Sequence, residues 1–246
     1  MLDRLFRPAP LLDNDSVAFM QSIQQWAWAS FGRDHFDHQI QLVLPTNRFF
    51  PERISSVEEM AQQLLHRMQG YIGLQQWPLT VSTAAPQPLQ LPAELPPPSI
   101  NGAVPLPAAP AEAPAIVLHY NRLQASDPQA MIASHGQQLG ACLLATAPTP
   151  PPADAEQLPL VAELLVTQMG FGIQLANSAF KFAGGCGGCG CSASGRTAYL
   201  NQDEALMALA LFCHAKQIEA SQVTPHLNKH LRSLFKRGLR QLQNPR

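Results

Sequence analysis

Three cysteines within six residues, Cys186-Gly-Gly-Cys189-Gly-Cys191, are the densest group of reactive side chains in the chain. Thiolates are soft ligands and glycine lets the backbone turn tightly, so the arrangement suits zinc or copper(I), or a Cys-x-x-Cys disulfide. Two Cys-x-x-Cys pairs would specify a structural zinc site, and half of that pattern is present. A fourth ligand would have to come from Cys142, Cys213 or His214, none of which has a diagnostic spacing. The competing reading is a flexible Gly-rich loop with incidental thiols. Elsewhere the candidates are His135 and Glu163, each inside an apolar segment. A lone imidazole on such a helix reads first as a hydrogen-bonded core or cleft group. Glu163 reads as a buried acid paired with Asn177, Arg196 or backbone, and Asn177 and Ser178 as polar anchors of the core. If the protein has a cleft, Glu163 and Asn177 are the residues expected in it.

The elements that must position these groups follow from periodicity and punctuation. Val17, Met20, Ile23, Trp26, Ala27 and Phe31 recur at helical spacing, and Gly32 follows as a stop. A polar turn over 33–38 then leads to Gln39–Leu44, whose alternation and closing Pro45 predict a strand. Ser56-Val-Glu-Glu59 offers a capping box for a helix through Met68 to Gly70. Short strands are expected at Trp77–Val81 and Ala115–Tyr120. Between them prolines, including Pro96-Pro97-Pro98, exclude a helix interior or a central strand, so 83–114 reads as an extended excursion. Asp127-Pro128 caps a helix to about Ala145, Leu158–Phe180 reads as a buried helix, and Asn201-Gln-Asp-Glu204 starts another. The last helix puts Leu227, Leu231, Leu234, Phe235, Leu239 and Leu242 on one face, with Lys229, Arg232, Lys236, Arg237 and Arg240 largely opposite.

Composition bounds the function. The chain has 246 residues, 46% hydrophobic and 13% charged, with net charge −1. That suffices for a buried core and gives no global attraction to nucleic acid or anionic lipid. The longest apolar run is read as Ala205–Cys213, about half of what a membrane span needs. The acidic and proline-bearing N-terminus lacks the pattern of a secretory signal. A cytoplasmic location, no membrane partner and reduced thiols or a metal rather than structural disulfides are expected. The basic last helix lacks interleaved aromatics and reads as a solvated face, so a nucleic-acid partner is not expected. A protein or peptide partner fits better, because proline-rich segments dock on aromatic grooves.

Tyr120, Asp127-Pro128, Gly170-Phe-Gly172, Ala176-Asn-Ser-Ala-Phe180 and Tyr199-Leu200 resemble a family of uncharacterised bacterial proteins with a zincin-like metallopeptidase core. The resemblance covers roughly 115–242, with weaker support from Trp26, Leu44-Pro45-Thr46 and Phe49-Phe50-Pro51. In that family the helix after the Asp-Pro cap carries His-Glu-x-x-His, in which two imidazoles grip zinc and the glutamate deprotonates the bound water. At the matching positions this chain has His135, Gly136 and Leu139, so the base and the second ligand are missing. The third ligand falls on Pro159, with Glu156 and Glu163 nearby, and Glu163 matches the second helix's acidic motif. The resemblance therefore implies an α+β, zincin-like fold, with a small N-terminal sheet and a mainly helical C-terminal half. His135 is then a vestigial ligand, peptidase activity is lost, and a binding or scaffold role remains. Alternatives are a metal-binding or redox-responsive protein using Cys186, Cys189 and Cys191, with zinc as the candidate cofactor there, and a divergent metallopeptidase. The expected organisation is an N-terminal α/β part at 1–82, the excursion at 83–114, and a helical core at 115–246 holding the Gly/Cys loop 183–196.

Overall fold

The computed structural model describes residues 9–84, 91–92, 95, 115–179 and 197–244. The Gly/Cys loop, with Cys186, Cys189 and Cys191, and most of the proline-rich excursion lie outside the described residues. The architecture is α+β and mostly helical, with one small parallel sheet. Its elements are α1 (Asn14–Phe31), α2 (Arg33–His38), α3 (Val57–Ile72), β1 (Leu79–Ser82), β2 (Ile116–His119), α4 (Pro128–Thr146), α5 (Leu158–Val166), α6 (Gly172–Ser178), α7 (Gln202–Ala215), α8 (Ala220–Val223) and α9 (Leu231–Gln243).

Local signals account for most of the boundaries. Asp13 caps α1 by accepting from Ser16 N, and Gly32 ends it at a positive φ of 95°. The Ser56 hydroxyl accepts from Glu59 N as a capping box requires, but the Glu59 carboxylate reaches back to Ser55 rather than Ser56. Asp127 accepts from Ala130 N, and Asn201 and Glu204 form the complete reciprocal box. β1 and β2 pair in parallel, Leu79 opposite Ile116 and Ser82 opposite His119. A parallel pair needs a long connection, which residues 83–115 supply. The Gln138 side chain closes the outer edge of β2: its carbonyl accepts from His119 N (2.6 Å) and its amide donates to His119 O (2.8 Å).

The strand expected at Gln39–Leu44 is not one. Gln39 still has helical backbone angles, and Val43 bonds the helical core rather than a strand: Val43 N donates to Gly170 O (2.9 Å) and Gln174 Nε2 donates to Val43 O (2.9 Å). The polar turn expected at 33–38 is helix α2. A sequence window cannot show its support, which is Lys216 Nζ donating to the carbonyls of Phe36 (2.6 Å) and Asp37 (2.9 Å) at the helix C-terminus. The Arg33–Asp37 pair adds a local tie. Ala205–Cys213 is the longest unbroken apolar run, but it is not the only stretch to weigh against a membrane span. The helical stretch Ala155–Ser178 is long and apolar enough by length and composition to cross a membrane, with 83% of its window buried inside the protein.

That buried stretch is kinked. Between α5 and α6 the turn Thr167–Phe171 is π-helical, and Gly170 sits at φ 95°. Such bulges rotate the side chains that follow out of the preceding helical phase. Here the bulge frees Gly170 O for Val43, while Gln168 receives a hydrogen bond from Gln24 of α1 (2.9 Å). α4 lies directly against α5. A Cβ at Gly140 would stand 2.4 Å from Ala162 O, and one at Gly136 2.6 Å from a Val166 methyl, so the two glycines permit the close crossing.

Candidate functional site

The three polar candidates of the helical core sit on three elements and face three different neighbours. His135, in the middle of α4, is completely buried and turned toward α3, with Nε2 3.2 Å from Ala61 O. A carbonyl can only accept, so Nε2 carries the proton and Nδ1 holds the lone pair. That second nitrogen is buried without a partner. Burial drives the imidazole pKa down to about 4, partly opposed by the Ala61 hydrogen bond. Gly136, beside it, packs on Val166, and Leu139, one turn on, is buried.

Glu163 projects from α5 and is 1% exposed. Its Oε2 accepts from Leu200 N (2.8 Å) and Tyr199 N (3.2 Å), pinning the turn that enters α7. Among the partners weighed for this acid, the backbone is one it does engage. Asn177, at the end of α6, donates from Nδ2 to Gln129 Oε1 (2.7 Å) and His226 O (2.9 Å), and its Oδ1 accepts from Asn228 N (2.9 Å). Ser178 Oγ donates back to Gln174 O (2.7 Å). Asn177 therefore ties α6 to α4 and to the segment before α9.

These bonds spend Asn177 on packing. Glu163 and Asn177 are both buried, and the hydrogen bonds described for them run to different segments. Among the described residues no three His, Cys, Asp or Glu side chains converge as a metal site would require. Zinc at His135 does not fit: the free lone pair, on Nδ1, is enclosed in the core, no further His, Cys, Asp or Glu pair converges on it among the described residues, and the positions that would supply the base and second ligand are Gly136 and Leu139, packed in the core. Cys142 and Cys213 are buried free thiols, both pushed up by burial to about 12. Each stays protonated near neutrality where no metal is bound.

One polar feature escaped the sequence reading. A cavity of about 10 Å³ lies under α1 and α2, lined by Trp28, Phe36, Ile40, Gln168 and Met169 together with His35. That is about the space of one water. His35 is 3% exposed, and among the described residues neither of its ring nitrogens nor Trp28 Nε1 has a partner at full hydrogen-bond geometry. Burial lowers the His35 pKa, the Ile72 backbone opposes this, and nearby Lys216 adds to the lowering. In the sequence His35 lay inside a supposed polar turn, and no local pattern marks it as interior.

Two expected results follow from this geometry. Unfolded histidine titrates near 6.5 and folded His135 near 4, so between those values the unfolded chain binds more protons. His135's contribution is thus complete above pH 6.5 and is lost as pH falls toward 4, by about 3 kcal/mol at most. Urea midpoints measured from pH 7.5 to 4.5 should fall more steeply in the wild type than in His135→Gln. Equal slopes would reject the assignment. Glu163→Gln should cost about 1.5 kcal/mol, because charge-assisted bonds become neutral ones. Hydrogen exchange at the Tyr199 and Leu200 amides should accelerate selectively, and an unchanged pattern there would show that Glu163 is not their anchor.

No protein-family model, curated protein or solved structure matches the chain.

Proposed function

We propose that the chain is a non-catalytic protein with a binding or scaffold role, built on a zincin-like helix pair whose metal site has been converted into core. One observation carries the reading: His135, the residue in the place of a zinc ligand, is completely buried and hydrogen-bonded to Ala61 O, with Gly136 beside it packed on Val166. A peptidase histidine must present its lone pair to a metal that also meets water and substrate. Here that helix surface is spent on α3 and α5. The close crossing at Gly136 and Gly140 would be lost if the glutamate base stood in the first of these positions, so absence of the motif and the packing of the helices explain each other.

Elemental analysis of the reduced protein, on wild type, His135→Ala and Cys186→Ser/Cys189→Ser/Cys191→Ser, tests the proposal together with a peptidase assay. The expected result is no metal dependent on His135 and no peptide hydrolysis. Stoichiometric zinc that disappears with His135, accompanied by hydrolysis, would overturn it. Metal lost only in the triple-cysteine variant would move the functional centre to that cluster.

A further inference from the structure

The strongest charge asymmetry in the chain lies at its C-terminal end. Residues 220–246 hold six of the sixteen Lys and Arg and none of the seventeen Asp and Glu. In α9 the inner face, Leu231, Phe235, Gly238 and Leu239, is buried, and a Cβ at Gly238 would stand 3.4 Å from that of Ala210 on α7. The outer face carries Lys236 and Arg240, preceded by Lys229, all exposed, with Arg232 and Arg237 half-buried. The ion pairs among the described residues, Arg33–Asp37 and Arg67–Glu52, lie elsewhere. Arg232 donates to the carbonyls of Leu227 (2.9 Å) and Pro225 (3.3 Å), and Arg240 to that of Lys236 (3.2 Å). Those bonds position the guanidinium groups without neutralising them.

A partner for this face must be anionic, and its other properties can be narrowed. Membrane docking needs apolar side chains beside the cations. Among the described residues the exposed large hydrophobic ones are Ile54, Val117, Leu123, Leu158 and Tyr199, none of them on α9. Single-stranded nucleic acid needs stacking platforms. Phe235, the one Phe, Tyr or Trp in 220–246, is fully buried. A long duplex would outrun a stripe of about 20 Å, the length of thirteen helical residues. Beyond it the rest of the chain has ten cations against seventeen acids. Gln241 bonds the backbone of Leu11 and Leu12, which brings the start of α1, with Asp13 and Asp15, to the C-terminal end of the stripe. The positive field is therefore short and bounded by acids.

We infer that the outer face of α9 docks a short acidic protein segment, its carboxylates meeting Lys229, Lys236 and Arg240. This rests on the reading of the chain as a binding protein and gives that reading a surface and a partner chemistry.

Fluorescence anisotropy tests it with a labelled peptide of about sixteen residues bearing Glu at every fourth position, and with its Gln counterpart. Duplex DNA and phosphatidylserine vesicles serve as competing anions. The Glu peptide should bind at low salt, about ten-fold more tightly than the Gln peptide, and weaken about ten-fold by 0.5 M salt as screening shortens the field. Lys229→Gln/Lys236→Gln/Arg240→Gln should lose about ten-fold in affinity with its melting temperature unchanged. Lys236→Glu should regain affinity for a peptide in which one Glu is Lys, a rescue that general loss of structure cannot produce. Absence of binding, equal binding of the Gln peptide, indifference to the triple variant, or tighter retention of DNA or vesicles would each overturn the inference. Zinc-dependent hydrolysis by a protein that still binds the Glu peptide would instead overturn the non-catalytic reading alone, so the two failures are distinguishable.

Discussion

Gly170→Ala should destabilise the protein by roughly 3–5 kcal/mol, combining the strain of a positive φ with a steric overlap. Gly170 holds φ 95°, and a Cβ there would stand 2.1 Å from Gln41 O, which is backbone and cannot swing aside. The position is where the 39–44 segment meets the π-helical turn, so the substitution strains both. It also threatens the bond from Val43 N to Gly170 O (2.9 Å) and the neighbouring one from Gln174 Nε2 to Val43 O (2.9 Å). A loss of this size should lower the melting temperature by about 10 °C in a chain of this length. Gly70→Ala is the matched control: it lies inside α3 with nothing within 4 Å of the added methyl. That change should stabilise by about 0.5–1 kcal/mol. Urea unfolding of the two variants should therefore move in opposite directions. If Gly170→Ala falls within about 1 kcal/mol of wild type, the 39–44 segment does not press on the bulge as described.

The same junction shows what could be read from sequence. Asp127-Pro128, Asn201 with Glu204, and the apolar spacing of α1 are short-range signals, and the observed boundaries follow them closely. Leu158–Phe180 was legible as a buried helix because it is apolar on every side, but nothing local showed that Gly170 would break its phase. Gln39–Leu44 has strand-like alternation, and its partner is decided by Gly170 and Gln174, about 130 residues away. α2 is too short and polar to announce itself, and its C-terminal carbonyls are held by Lys216. The polar candidates behave alike. His135 and Glu163 could be picked out as ionisable groups in apolar surroundings, but whether they faced a cleft or a backbone depended on α3 and on the 199–200 turn.

Restoring the missing motif should unfold the protein rather than create an enzyme. Gly136→Glu/Leu139→His would complete His-Glu-x-x-His on α4, the sequence that on an exposed helix binds zinc and supplies a base. Here the first Cβ would meet Val166 at 2.6 Å, and the new imidazole would replace a side chain that is 1% exposed. The carboxylate would enter a core in which the nearby imidazole is itself held neutral by burial. A buried charge without a partner costs several kcal/mol, a large share of what a domain of this size has to lose. The expected outcome is an insoluble or non-cooperatively unfolding protein, with no zinc equivalent retained after dialysis. Leu139→His alone separates collapse from absence of a site. It adds no charge if neutral, should cost about 2–4 kcal/mol as a core substitution, and should leave a folded protein for the assay. Zinc should not raise its melting temperature, because the free lone pair of His135, on Nδ1, is enclosed in the core and the new ring would replace a buried side chain rather than meet solvent. Should the double variant fold like wild type and bind one zinc, α4 would have to border an accessible cleft, and the non-catalytic reading of this protein would lose the packing argument on which it stands.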